Sequence, residues 1–505
     1  LIMKLFLKLL LIIGIAVTLS LTASKLVEAQ LPVGATITVN STTDNNIRDS
    51  SLTLQEAVLL MTGNLLKTDL TIDEQNQVIG DPGAAKADTT IFDSNIFPVS
   101  SPATIVVTSD PHLTTGEDTL SGAGAGVIIS RDLVITSNNN KISGLKGVRI
   151  IANRIGSFNV IENNTIVEKV SIGQGFGQPE SSFNIIKGNR VPFILLANAH
   201  NNLIGGAEPG SRNIISGNPG GVGIVIVGGN FNTVQGNFIG TDDTGTQALP
   251  NNTGISISGG AIGNVIGGTG PGAGNLISGN TRAGIVLTNT SENIIQGNHI
   301  GTDVSGINPL PNGHVPANDC NSCGGIFIQG AFKNIIGGAS SGARNIIAFN
   351  HGPGIEIGSD IQARQNTISR NSFFQNDGLG IDLDPLGLNF GSDGVTSNDG
   401  GADLDSGPND LLNFPDLQVA NLVDGIVVVK GKACANCTVE AFLADPDPSG
   451  HGEGKTFLGS TTTDANSGVF ALVVIGPSLG DRLTATATDT EGNTSEFAMN
   501  LEVRH

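Results

Sequence analysis

Tryptophan and tyrosine are absent from the 505 residues, and aromatic residues make up only 4%, all of them phenylalanine. A carbohydrate site built on Trp or Tyr stacking platforms is therefore excluded, and so are β-propeller blades with their usual aromatic signatures. Charged residues are also scarce, at 14%, and the 25 Lys and Arg are outnumbered by 45 Asp and Glu. A net charge of −20 disfavours nucleic acid and anionic lipid as partners. It also disfavours a polyanionic sugar unless a cation such as Ca²⁺ intervenes. Serine-hydrolase elbows, P-loops and His-Glu-x-x-His are missing, and nothing points to a nucleotide cofactor. Beyond the first 29 residues no apolar run is long enough to span a bilayer.

What the chain has in abundance is glycine, 70 residues of it, and asparagine in a repeated phrase. Asn202-Leu203-Ile204-Gly205-Gly206 returns at Asn264–Gly268 and Asn334–Gly338. Asn213-Ile214-Ile215-Ser216-Gly217-Asn218 returns at Asn275–Asn280 and, altered, at Asn345–Asn350. Asn232–Asn237 and Asn293–Asn298 are a third version. Between them stand Gly223-Ile224-Val225-Ile226-Val227, Gly254–Ile257, Gly284–Leu287, Gly325–Ile328 and Gly354–Ile357. Each apolar run is short and β-branched, so it reads as a strand. Gly and Asn at its ends tolerate left-handed turns. No crossover helix period separates the runs. Strands recurring at roughly 20–30 residues with only turns between them predict a parallel β-solenoid. Ile would stack over Ile about 4.8 Å apart, and the turn asparagines would stack as an amide ladder.

The phrases resemble the right-handed parallel β-helix proteins of the pectate-lyase-like superfamily. Large secreted bacterial members share the N-x-I-G-G…R-N-I-I-S-G-N…G-N-x-I-G-T-D pattern seen here from Asn202 to Asp303. The likeness is specific for fold and weak for activity. It implies a secreted or cell-surface protein facing an extracellular polysaccharide or another surface component.

Residues 1–29 read as a signal peptide, with Met3 as the expected start. Lys4 and Lys8 precede an apolar stretch from Leu9 to Leu21, and Val27-Glu28-Ala29 offers a cleavage site before Gln30,. Residues 30–88 are expected to form a strand, Ala35–Asn40, and a capping helix. Thr53 and Glu56 make a capping box and Gly63 ends the helix. Gly63–Ala87 reads as a loop or insertion. The parallel β-helix is expected over 89–383, in roughly ten to twelve coils. An Asp- and Gly-rich segment, 384–411, is expected to close it and link onward. Residues 412–505 carry short strands with turn signals, as in an Ig-like β-sandwich. The fold class is thus all-β: a right-handed parallel β-helix with an N-terminal helical cap and a C-terminal antiparallel β-sandwich.

Candidate chemistry is sparse. Two CxxC pairs lie in different predicted domains, so disulfides Cys320–Cys323 and Cys434–Cys437 are expected rather than one zinc site. Asp382, Asp384, Asp393, Asp399, Asp403 and Asp405 are hard oxygen donors for Ca²⁺, or a solvated loop of Asx turns. Asp445, Asp447 and Glu453 form a weaker acidic group. Gly240–Gly245 and Gly301–Gly306 repeat one Thr-Asp loop and read as structural Asx turns. Arg212, Arg344, Arg364, Arg370 and Lys333 stand in no lyase or hydrolase motif, and neither do His314 and His351. Phe327, Phe373 and Phe374 are the available sugar platforms, or core residues. The leading expectation is non-catalytic binding or adhesion to extracellular glycan or matrix, without nucleic acid and without membrane insertion after signal cleavage. The alternative is a polysaccharide lyase or glycoside hydrolase.

Overall fold

The structure, a computed structural model, describes residues 33–84, 86–152, 156–173, 181–313, 323–358, 360–385, 394–399 and 406–505. The signal-peptide reading of residues 1–29 lies outside them. Among the described residues no helix is long and apolar enough to cross a membrane.

The repeated phrases form three parallel sheets, of thirteen, twelve and seven strands, that wrap one core. The inward columns are apolar, and the second sheet has two, one of them running from Ile194 through Ile224, Ile255, Ile285, Ile326 and Ile355 to Ile381. Ile161, Ile186, Ile204, Val234, Ile266, Ile295, Ile336 and Ile368 pair in register along the first sheet. Ile172, Leu196, Ile226, Ile257, Leu287, Ile328, Ile357 and Leu383 do so in the second. Val191, Ile215, Ile239, Ile277, Ile300, Ile347 and Phe373 do so in the third. The first sheet starts earlier than its repeats suggest. Val33–Val39 pairs parallel with Ala87–Phe92, so it already belongs to the stack.

The N-terminal helix is Leu54–Met61, with the Thr53/Glu56 capping box in place. Gly63 has φ 71°. Its N–H donates to Leu60 and that of Asn64 to Leu59, a Schellman ending. Leu54, Ala57, Leu60 and Met61 join the β-helix core, so the helix seals the first coil. Gly63–Ala87 is not merely a loop. It holds a second capping box, Thr71/Glu74, on the short helix Ile72–Gln75, and an antiparallel strand Val78–Ile79. Arg48 reaches both buried box carboxylates, Glu56 and Glu74.

Asparagine ladders hold the corners. At the first corner, Asn140, Asn159, Asn184, Asn202, Asn232, Asn264, Asn293, Asn334 and Asn366 bond each to the next. In each step both the side-chain amide and the backbone N–H meet the next side-chain oxygen. A second ladder climbs through Asn164, Asn189, Asn213, Asn237, Asn275, Asn298, Asn345 and Asn371. A third climbs through Asn251, Asn280, Asn312, Asn350 and Asn376.

The first ladder begins on carboxylates. Asp118 accepts from the Asp88 backbone and donates its own N–H to Asn140. Burial pushes the Asp118 carboxyl up to about 7 against the Thr115 hydroxyl that favours its charge. The folded value lies above the ordinary 3.8. Its contribution is therefore complete below that value and is lost as pH rises through about 7. Asp118→Asn installs the ladder's own residue. Unfolding free energies from denaturant titrations at pH 5 to pH 9 should be higher in the variant by about 1 kcal/mol or more at the alkaline end, with a weaker dependence on pH.

Asp382 is not part of a solvated loop but a buried residue of a strand. Ile381–Leu383 is the last strand of the second sheet, in register with Ile355–Ile357. Residues 412–505 form two antiparallel sheets, of three and four strands, around one apolar cluster including Val429, Val439, Phe470 and Leu483. This unit sits on the open end of the β-helix. Glu440 takes the N–H of Arg370, Glu453 that of Asn376, and Glu496 that of Leu383. Asn409 ends the first ladder by taking the N–H of Asn366. Closure thus comes from the C-terminal unit and Asn409, not from the Asp-rich segment alone.

Candidate functional site

From Asp118 to Asn366, each coil enters the first sheet through a residue with left-handed backbone, directly before the ladder residue, starting with Glu117 at φ 68°. The turn aims the next side chain, asparagine, inward and leaves the preceding one outside. Asn139, Asn201, Gly263, Glu292, Lys333 and Gln365 hold this place with φ between 56° and 68°. Glycine and asparagine suit it best, because the left-handed region costs other residues about 1–2 kcal/mol. Three coils carry phenylalanine there instead: Phe158, Phe183 and Phe231, with φ 58°, 60° and 56°.

These rings are 52%, 50% and 60% exposed. Phe158 and Phe183 stack on successive coils, with centroids 5.1 Å apart and planes within 6°. Phe231 lies against Gly263, where a Cβ would sit 2.6 Å from the ring. Beside this column runs an outward aliphatic strip. Val160, Ile185, Leu203, Thr233, Val265, Ile294 and Ile335 pair in register over seven coils, about 29 Å along the axis. Ile335 is 41% exposed. Polar groups border the strip. Glu162 is held by Lys141 at 2.7 Å and Lys187 at 3.3 Å, which lower its pKa. Gln235 follows, and Gln296, whose amide donates to Gly337. The face therefore offers flat rings, an aliphatic floor and a hydrogen-bonding margin in parallel lines.

The residues singled out from sequence fall elsewhere. Phe327 and Phe373 are buried. Phe373 packs edge-on against Phe497 and Phe374 against Phe349, so all three are packing residues. Phe158, Phe183 and Phe231 were missed, although the signal was present as Phe-Asn ahead of each strand. Asp382 and Asp384 are buried, and Asp399 exchanges hydrogen bonds with Asn413. Asp393, Asp403 and Asp405 lie outside the described residues. Among the described residues no three His, Cys, Asp or Glu gather as a metal site. Cys434 and Cys437 form a disulfide, Cα to Cα 5.4 Å. Cys320 and His314 lie outside the described residues. The repeated Thr-Asp loops are Asx turns: Asp242 accepts from Thr246 and Gln247, and Asp303 from Ser305 and Asn308. His351 pairs with Asp377, and Arg364 with Asp410.

No family model matches the chain. Among solved structures it is similar to the A-modules of two Azotobacter vinelandii mannuronan C-5 epimerases. For AlgE6 the identity is 16% and the TM-score 0.30; for AlgE4 they are 12% and 0.25. Each match covers 58% of this chain and 82% of the other. The enzymatically active domain of bacteriophage CBA120 tailspike protein 2 matches over 82% of this chain and 72% of its own, at 11% identity and TM-score 0.21. Function is accordingly argued from the site itself.

Proposed function

We propose that the chain is a secreted or cell-surface protein that binds an extracellular glycan along the outward face of its first sheet, without transforming it. The phenylalanine column carries this reading. The fold does not need aromatic rings at a left-handed, solvent-facing position that other coils fill with Asn, Glu, Lys or Gln. Three of them in one column, Phe158 and Phe183 stacked and Phe231 two coils beyond Phe183, expose apolar surface of the kind that marks an interaction site. A pyranose ring presents a C–H-rich face to such rings and hydroxyls to a polar margin. The coil spacing of about 4.8 Å is close to the length of one sugar unit, so a glycan lying along the axis meets similar contacts at each step. Export is supported by the N-terminal leader pattern and by the Cys434–Cys437 disulfide,. The C-terminal unit, read as Ig-like, serves first as the cap of the β-helix.

The test is retention of purified residues 30–505 in affinity gels containing a range of polysaccharides. Replacing Phe158, Phe183 and Phe231 together by Asn should weaken binding at least about tenfold, taking about 0.5–1.5 kcal/mol per ring. Thermal stability should hold or rise slightly, because Asn suits the left-handed backbone. Undiminished retention of the triple variant would remove the face from the argument. New reducing ends or unsaturated uronide absorbance in the same mixtures would overturn the non-catalytic reading.

A further inference from the structure

The third sheet has its own outward column, on another side of the β-helix. Ile214, Phe238, Leu276, His299 and Ile346 pair along it in register. Glycine-rich loops at 205–212, 267–274 and 337–344 flank it on one side, and the two Asx loops on the other. The Asx loops lean inward: a Cβ on Gly245 would meet Phe238 and Leu276, and one on Gly306 would meet His299 and Ile346. An open groove of about 530 Å³ remains, lined by Arg212, Phe238, Leu276 and His299 and, on its flank, by the 268–272 loop.

Its arginine stands apart from those that pair with acids. Arg48, Arg149, Arg190 and Arg370 all pair with carboxylates, as an acidic protein makes easy. Among the described residues no carboxylate forms an ion pair with Arg212 or Arg344. Arg212 is nevertheless held in place. Its guanidinium lies 3.8 Å from the centre of the Phe238 ring and its Nε donates to the Gly236 carbonyl. Arg344 occupies the same repeat position further along, directly before Asn345 as Arg212 is before Asn213. The ladder from Asn213 through Asn237, Asn275 and Asn298 to Asn345 separates them by four coils, about 19 Å. His299 lies between. Burial, and then Arg344, hold its pKa below the ordinary 6.5, so at neutral pH it is an uncharged hydrogen-bonding group.

We propose that this groove is a second ligand site, for an acidic glycan segment of about four sugar units, with carboxylate or sulfate groups on Arg212 and Arg344. Planar guanidinium forks suit either acid group, and the peptides of the flanking glycine-rich loop can meet hydroxyls. That the ligand is a glycan rests on the preceding reading; that it is anionic rests on the groove.

The test is calorimetric titration of the full chain with a tetragalacturonate, a sulfated chondroitin tetrasaccharide and neutral cellotetraose. Both acidic ligands should bind at least about tenfold more tightly than the neutral one, and salt should weaken them. Their order separates carboxylate from sulfate as the source. Arg212→Gln and Arg344→Gln should each lose about tenfold or more, and Arg212→Lys should recover part of the loss. The triple phenylalanine variant should bind the acidic tetrasaccharides unchanged. Equal affinity for acidic and neutral ligands, or wild-type affinity in both Gln variants, would overturn the groove. Loss of polysaccharide retention in the phenylalanine variant alongside that result would leave the sheet-face reading standing. Groove binding without any phenylalanine effect would do the reverse.

Discussion

Replacing Asn237 by Ala should cost about 3–6 kcal/mol of stability, a large effect for one exchange of a polar residue. Asn237 is fully buried. Its side-chain oxygen accepts the N–H of Asn213 at 3.2 Å and its amide at 2.9 Å. Its own amide donates to the carbonyls of Ile204 and Gln235, both 2.9 Å away, and to Asn275 Oδ1 at 3.0 Å. Alanine leaves the two Asn213 donors and the Ile204 carbonyl without these partners inside the wall, at about 1–3 kcal/mol each. Asn237→Asp keeps the shape but sets a carboxylate against the Asn275 oxygen, so it should be worse than Ala at neutral pH. Burial raises the pKa of such a carboxyl. The Asp variant should therefore recover as pH falls, when the proton restores one donor. Urea titrations followed by circular dichroism, with exposed Gln247→Ala as the control within about 0.5 kcal/mol, decide the matter. A loss at Asn237 no larger than at Gln247 would mean that the ladder does not hold the coils.

The ladder and the inward Ile columns were legible because both repeat: one phrase per coil states one position per coil. What did not repeat was not legible. Asp88 and Asp118 occupy ladder places, but Asp in an irregular early coil does not resemble the Asn phrase. Asp382 looked like the start of an acidic loop because the Asp-rich segment follows it. Yet Ile381-Asp382-Leu383 carries the alternation of Ile355-Glu356-Ile357 and pairs with it residue for residue. The phenylalanines of the sheet face sit in a repeated slot whose occupant varies, so the sequence shows the slot and not that its ring faces solvent. Arg212 and Arg344 stand in no catalytic motif, and their recurrence before Asn213 and Asn345 reads first as repeat structure. Arg212 lines the groove, and Arg344 holds the same repeat place four coils on, two residues past the lining residues Ser341 and Gly342. The cap was the least legible element. Glu440, Glu453 and Glu496 are single residues meeting partners distant in sequence, with no local pattern to announce them.

Those three glutamates carry the other large prediction. Each meets a different part of the last coil: Arg370 after the first sheet at 2.9 Å, Asn376 at the third ladder at 3.1 Å, and Leu383 in the second sheet at 3.0 Å. Phe442 and Phe497 belong to the β-helix core cluster, and Phe497 lies 5.5 Å from Phe373, so the polar contacts surround an apolar seal. Hydrogen bonds to charged groups contribute about 1.5–3 kcal/mol each, and those to a neutral carboxyl such as Glu453 at neutral pH about 0.5–1.5 kcal/mol. Substituting all three glutamates by Ala should therefore weaken docking by on the order of 5 kcal/mol and open an edge prone to pairing between molecules. Hydrogen exchange at the amides of residues 370, 376 and 383 should accelerate, while that of the central coils stays slow. Unchanged protection at those three amides would show that the apolar seal alone holds the cap. Acid–base behaviour supplies an independent check. Burial pushes Glu453 up to about 8, against the opposing Asn376 donors and aided by the charges of Asp447 and Asp445. Because that value exceeds the ordinary 4.5, the folded state holds a proton that the unfolded state releases. The contribution is complete below pH 4.5 and declines as pH rises through about 8. Exchange at Asn376 should thus quicken more between pH 6 and pH 9 than the intrinsic rate requires. Glu453→Gln should abolish that excess, while starting from a less protected level because its amide meets the Asn376 donors with one oxygen instead of two.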